Sequence, residues 1–178
     1  MLISLLFFYR KMNLDKLKQA LPNLTDPKLL QSILDKGQVV NYESGKILME
    51  PGQFIKAVPL VIEGSIKIMR MDDEGKELFL YYLEPGETCA LSLTCCSAAR
   101  PSEIKAVVEE PATIMFIPVL LHEQWSDEFK QWKDFVSSTY QQRFQEMLIA
   151  LDAVAFKRMD ERLMRYIVTK MKQLKANE

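Results

Sequence analysis

The sequence predicts an α+β protein, in which a barrel of short β-strands is flanked by short N-terminal helices and followed by a long C-terminal helix and one further helix. Three observations support this prediction. The periodicity of apolar residues is helical over residues 13–34, strand-like over residues 38–118 and helical again afterwards. Glycine-containing turns separate the strands at nearly regular spacing. After Pro118 the chain contains neither glycine nor proline, so nothing there interrupts a long helix.

The composition argues against several classes of protein. The 178 residues are 48% apolar and 26% charged, which is ordinary for a soluble globular domain. The formal net charge of −1 does not indicate a basic surface for binding nucleic acid. The three cysteines, Cys89, Cys95 and Cys96, are odd in number and irregularly spaced. We therefore expect no disulfide framework and a reduced, cytoplasmic compartment.

The first eleven residues form a segment of their own. Residues 2–9 are an apolar run that is too short to span a bilayer, so no membrane association is expected. Its positive charges, Arg10 and Lys11, follow the run, whereas those of a signal peptide precede it. We interpret residues 1–11 as an N-terminal extension upstream of Met12. The alternative is a short apolar strand packed on the domain.

The first two regions can be divided into elements. Pro22 and Pro27 split residues 13–34 into two short helices, because proline disrupts a helix interior. Strands are predicted at residues 39–42, 46–49, 58–62, 65–71, 76–83, 104–109 and 113–118, with Gly45, Gly64, Gly75 and Gly86 at the corners and Pro111 between the last two. The strands over residues 65–71 and 76–83 are predicted to form a hairpin around a glycine-containing loop.

The long helix is predicted from about Phe129 to Phe156, a length of about 40 Å. Its apolar residues fall into two rows: Val136, Tyr140, Met147 and Val154, and the heptad-like Phe144, Leu148, Leu151 and Ala155. A helix that is apolar on more than one side must be covered on more than one side. The first row can lie on the chain's own barrel. The second row predicts a parallel homodimeric coiled coil, and the residues expected at its interface are Tyr140, Phe144, Met147, Leu148, Leu151 and Ala155. The alternative is an intramolecular hairpin with residues 161–175.

Three short motifs stand in a distinctive order. Residues 61–68 (VIEGSIKI) have a strand–glycine–strand pattern, residues 82–87 (YLEPGE) form a turn, and residues 156–163 (FKRMDERL) begin a new helix after the long one. Together with the order of the elements, these motifs resemble the Crp/Fnr family of bacterial transcription regulators. The resemblance covers residues 12 to about 172.

The resemblance implies an organisation of the chain. It places a jelly-roll, cyclic-nucleotide-binding-like sensor domain at residues 12–120, a dimerisation helix region at 121–156, and a hinge with the first helix of an incomplete DNA-binding domain at 157–178. A helix-turn-helix needs a second helix to enter the major groove. We therefore expect DNA binding only if a full-length form supplies that helix.

The resemblance also implies an effector site. In nucleotide-binding relatives, a short helix after a Gly-Glu pair binds ribose and phosphate, and an arginine neutralises the phosphate. Here Arg100 stands at the arginine position, but the pair falls on Ala90 and Leu91. A leucine cannot accept a hydrogen bond from a ribose hydroxyl, which would cost a few kcal/mol. Cyclic AMP is therefore not the expected effector, and Glu87, in the preceding turn, is expected to point to solvent.

We expect instead a small anionic or apolar effector. The candidate contact residues are Arg100, Ser102, Cys89, Ala90, Leu91 and Ser92. The cysteines of residues 89–99 permit a thiol sensor, or they are small buried hydrophobes. They lack zinc-type spacing, so neither a metal nor a cofactor is expected. Occupancy would alter the packing of this segment against the long helix near Phe135 and Tyr140.

The remaining residues do not indicate an enzyme. A cupin-type metal site would need several histidines, whereas the chain has only His122, which we expect at the surface or at an interface. No nucleophile–base pair or phosphate-binding loop is recognisable. Trp125 and Trp132 are predicted to anchor the helices to the barrel. The alternative function is a DNA-binding-deficient interaction protein that dimerises with itself or with full-length relatives.

Overall fold

The computed structural model describes residues 12–72, 74–97 and 100–155, together with Met164, Ile167 and Val168. Its elements are α1 (Leu14–Ala20), α2 (Pro27–Lys36), β1 (Gln38–Tyr42), β2 (Ile47–Met49), β3 (Ala57–Met71), β4 (Glu77–Leu83), α3 (Ala90–Ser97), β5 (Ile104–Pro118), α4 (Val119–Glu128) and α5 (Lys130–Ala155). The predicted order of helices, strands and helices is confirmed. The expected extension at 1–11 lies outside the described residues, as does the hinge region after residue 156 apart from those three residues.

The short N-terminal helices begin where local chemistry fixes their first turn. The side chain of Asp26 accepts hydrogen bonds from the backbone N–H groups of Lys28 and Leu29, at 2.8 and 3.2 Å, and Pro27 occupies the first helical position of α2. Both features favour a helix start. The apolar face of α2, formed by Leu29, Leu30 and Ile33, is buried in the core.

The strands form one antiparallel sheet with the order β1-β5-β3-β4, and β2 also pairs with β5. β5 therefore has three partners, which makes it the central strand of the domain. The sheet curls without closing, as an open jelly roll. The predicted fold class is confirmed, and so is the predicted hairpin, which is now β3 and β4 around Gly75.

Two predicted corners proved wrong. Gly64 lies within the continuous fifteen-residue β3, and Pro111 lies within the equally long β5. Gly64 has φ +79°, and a Cβ built on it would stand 2.2 Å from the carbonyl oxygen of Pro111. The register between the two strands shifts there. Because glycine has no side chain and proline has no N–H, the strands pass closely through an irregularity instead of turning.

The prediction that the two tryptophans anchor the helices is confirmed. Trp125 of α4 and Trp132 of α5 are 1% and 0% exposed, and their rings meet edge to face with centroids 5.3 Å apart. They share a core cluster with the buried faces of α1 and α2 and with one end of the sheet. The expectation for His122 was wrong, because this side chain is also buried. A second cluster fills the interior of the jelly roll.

The chain divides into two compact units, and the division falls within α5, between Thr139 and Tyr140. In the first unit, Trp132 and Thr139 are buried, and Val136 packs on the core as expected. In the second unit, Tyr140 and Met147, both expected at the dimer interface, are exposed.

Helix geometry groups these two residues with the others expected at the interface. At about 100° per residue, Tyr140 and Met147 fall in the same arc, about 100° wide, as Phe144, Leu148 and Leu151. The two predicted rows are thus a single apolar stripe, hereafter the α5 stripe (Tyr140, Phe144, Met147, Leu148 and Leu151), and all five residues are exposed. The side chains of Val154 and Ala155 lie outside the described part of the structure.

Candidate functional site

The interior of the jelly roll holds a cavity of about 40 Å³, hereafter the interior cavity. β2, β3, β4, β5 and the start of α3 all contribute to its wall, which consists of Leu48, Met49, Ile55, Ala57, Pro59, Ile66, Ile68, Leu83, Cys89, Ser92, Ile104, Ala106 and Phe116. The alternation of side chains along the strands directs these apolar residues inward. The cavity is thus a product of the sheet pattern itself.

Two of the predicted site residues reach this cavity. Cys89 precedes α3 and is 1% exposed, and Ser92 lies in the first turn of the helix. The backbone N–H of Ser92 donates to Sγ of Cys89 over 3.4 Å, and the hydroxyl of Tyr81 lies 3.7 Å from the same sulfur. Ala90 is buried and Leu91 is half-buried between them. The expected helix therefore stands where the family resemblance placed it.

The other two predicted residues lie elsewhere. Arg100 and Ser102 line an open surface groove of about 420 Å³, hereafter the outer groove, together with Arg70 and Glu103. Arg70 and Glu103 form an exposed ion pair of 3.1 Å. Arg100 is exposed, and the Ser102 hydroxyl hydrogen-bonds to the backbone of Ile104. Of the six predicted contact residues, Cys89 and Ser92 therefore line the interior cavity and Arg100 and Ser102 line the outer groove, whereas Ala90 and Leu91 line neither.

The surroundings of Cys95 do not activate its thiol. Burial raises the pKa of the Cys95 thiol above its ordinary value. At neutral pH this thiol therefore stays protonated, and a protonated thiol is a poor nucleophile and metal ligand. In the described residues no three His, Cys, Asp or Glu side chains are grouped closely enough to hold a metal ion.

The expectation that Glu87 points to solvent was wrong. It is half-buried, and its Oε2 accepts a hydrogen bond from the backbone N–H of Glu84 over 3.0 Å. Gly86 between them donates its N–H to the carbonyl oxygen of Val61. The carboxylate is therefore engaged in holding the turn that leads from β4 to α3.

Sequence reasoning missed the polar contacts of two residues at the start of α5, Gln131 and Trp132. The side chain of Gln131 accepts hydrogen bonds from the backbone N–H groups of Thr25 and Asp26, and donates to the Thr25 hydroxyl, at 2.8–2.9 Å. The indole N–H of Trp132 donates to Nδ1 of His122 over 3.2 Å, and burial lowers the pKa of that imidazole. The need of a buried indole N–H for a partner was the one signal in the sequence.

Comparison with known families finds a match in the central part of the chain. Residues 39–123 match the family model of the cyclic nucleotide-binding domain. No curated protein matches the chain. Within the described residues, no helix is both long and apolar enough to cross a membrane.

Solved structures share the fold at low sequence identity. A protein described as a transcriptional regulator of the Crp/Fnr family from Eubacterium rectale superposes with a TM-score of 0.67 and 18% identity, over 83% of this chain and 68% of that one. The c-di-GMP responsive global regulator CLP of Xanthomonas campestris gives 0.68 and 17%, over 80% and 70%. The catabolite activator protein of Thermus thermophilus gives 0.61 and 22%, over 73% and 60%.

Proposed function

We propose that this chain is the effector-sensing and dimerising part of a transcription regulator of the Crp/Fnr type. Its residues 39–123 match the cyclic nucleotide-binding domain, and its fold is that of Crp/Fnr regulators. Its relatives in fold are regulators, which favours a binding role over a catalytic one. The chain spans between 60% and 70% of the three regulators compared with it. Operator binding through a helix-turn-helix belongs to this proposal for the regulator as a whole.

The observation that carries the dimerisation part of this proposal is the α5 stripe. Its exposed fractions are 38% for Tyr140, 57% for Phe144, 59% for Met147 and 57% for Leu151. These residues follow one another at spacings of four, three and four, which is the a/d pattern of a coiled coil. Exposed aromatic and aliphatic side chains in one continuous line favour burial against another apolar helix. A second copy of α5 provides that helix with the same periodicity.

The test is the oligomeric state of the full chain, measured by size-exclusion chromatography with light scattering. We expect a dimer at micromolar concentration. Phe144→Glu should weaken the dimer at least about a hundredfold, since placing an unpaired carboxylate in the interface costs roughly 3 kcal/mol. Gln145→Glu adds the same charge beside the stripe and should leave the dimer intact. A monomeric wild-type chain, or an unaffected Phe144→Glu dimer, would refute the proposal.

A further inference from the structure

The chemistry of the interior cavity selects its ligand. Among the described residues that line it, none carries a charge, and Cys89 and Ser92 are the only ones with polar side-chain atoms. The sulfur of Cys89 already accepts the N–H of Ser92 and lies beside the Tyr81 hydroxyl. An anion entering this cavity would lose its hydration and gain no cation in return. An apolar molecule would lose no such hydration and would gain contacts with the apolar wall.

Size points the same way. The cavity measures about 40 Å³, whereas one water molecule needs roughly 10–15 Å³ of such a cavity. A nucleotide has neither the room nor the polar partners it would need. Arg100, the residue that could neutralise a phosphate, lies in the outer groove and does not line the cavity.

We propose that the interior cavity binds a small uncharged apolar molecule, and that its occupancy acts on the start of α5. This inference rests on the proposed sensor function and names the chemical class of its effector. Met49 in the cavity wall is flexible and polarisable, so it can yield to a ligand slightly larger than the cavity.

The connection to α5 runs through α3. Ser92 faces the cavity, whereas the next residue, Leu93, is 0% exposed and belongs to the core cluster that contains Trp125 and Trp132. Phe135 of α5 packs against the same cluster, with its ring 5.5 Å from that of Trp132. α3 therefore has adjacent residues at the interior cavity and in the core cluster of the two tryptophans. A displacement of α3 at the cavity is transmitted to this cluster through close-packed contacts.

The experiment uses xenon as the apolar probe and the full ¹⁵N-labelled chain, observed by two-dimensional NMR. The chain has only two tryptophans, so its indole N–H signals report on the start of α5 without overlap. We expect saturable shifts of the amide signals of α3 and of both indole signals as xenon pressure rises. Cyclic AMP at millimolar concentration should shift none of them.

Two matched variants locate the site. Ala106→Leu fills the cavity and should abolish the xenon shifts, whereas Ala150→Leu adds the same side chain at an exposed position of α5 and should leave them unchanged. If Ala106→Leu fails to fold, Ala57→Val fills the same cavity with a smaller side chain.

Three results would overturn the inference. The first is the absence of saturable shifts in α3. The second is xenon binding in α3 with unmoved indole signals, which would leave an inert packing defect. The third is a saturable cyclic AMP effect that is lost on Arg100→Ala. None of these depends on the dimer, whose failure would appear separately in the light-scattering measurement.

Discussion

His122 makes the stability of this protein sensitive to mild acid. It is the only histidine in the chain, it is 5% exposed, and its Nδ1 accepts the indole N–H of Trp132. A proton on Nδ1 would place two donors against each other in a buried site, at the point where α5 begins. We therefore expect acidification to destabilise the folded state through this one contact.

The sign and size of the effect follow from the pKa. Burial lowers the pKa of His122, against a weaker opposing influence of the Glu123 carboxylate. Below the ordinary histidine value of about 6.5, the unfolded chain therefore binds a proton that the folded chain does not. Above that pH, the contribution of neutral His122 to the free energy of unfolding is fully present. As the pH decreases further, the free energy of unfolding falls by at most about 1.4 kcal/mol per pH unit, until the pKa of His122 in the folded state is reached.

The measurement is urea unfolding between about pH 7.5 and pH 5.5, a window above the ordinary pKa values of carboxylates. Tryptophan fluorescence and far-UV circular dichroism should agree. His122→Asn is the matched control, since its amide oxygen can still accept the indole N–H but does not titrate in this window. We expect the wild type to lose stability on acidification and the variant to stay level. Equal losses in both proteins would refute the reasoning.

Two further substitutions, each with a control variant, test the fold by urea unfolding. Gly64→Ala should cost about 3 kcal/mol or more, because the new Cβ meets a β5 carbonyl oxygen at 2.2 Å with φ at +79°. Gly75→Ala, with a similar φ but nothing within 4 Å, should cost only about 1 kcal/mol, and equal costs would contradict the close approach. Gln131→Ala should cost about 1–2 kcal/mol by removing the contacts that tie α5 to α2. Gln141→Ala, at an exposed position, should be nearly neutral, and a similar loss there would argue against this tie.

The sequence was a good guide wherever the deciding interactions are local. Apolar periodicity located the helices and strands, because each face is set by the spacing of neighbouring residues. Gly64 and Pro111 misled the prediction for the same reason. Read locally they signal turns, but in the sheet they lie opposite each other, forty-seven residues apart in the chain. The missing side chain of Gly64 leaves space for the backbone of Pro111, and only the strand register reveals that the two residues are close.

Local sequence patterns also limited the prediction of the candidate site. The family resemblance led to α3, and Cys89 and Ser92 do line a cavity. Whether Arg100 faces the interior or the surface depends on how the chain leaves α3, which no residue spacing determines. His122 looked like a surface residue because histidine is polar, yet the indole of Trp132 supplies the partner that makes its burial tolerable.

The position of β5 has a consequence for the order in which this protein can assemble. It hydrogen-bonds with β1, β2 and β3, and the pair Gln38–Phe116 joins residues seventy-eight positions apart. During synthesis, β1, β2 and one edge of β3 must wait unpaired until residue 118 has left the ribosome. Such long-range pairing makes folding slow. A nascent chain released before that residue would lack the strand that unites the others, and its exposed edges would be prone to aggregation.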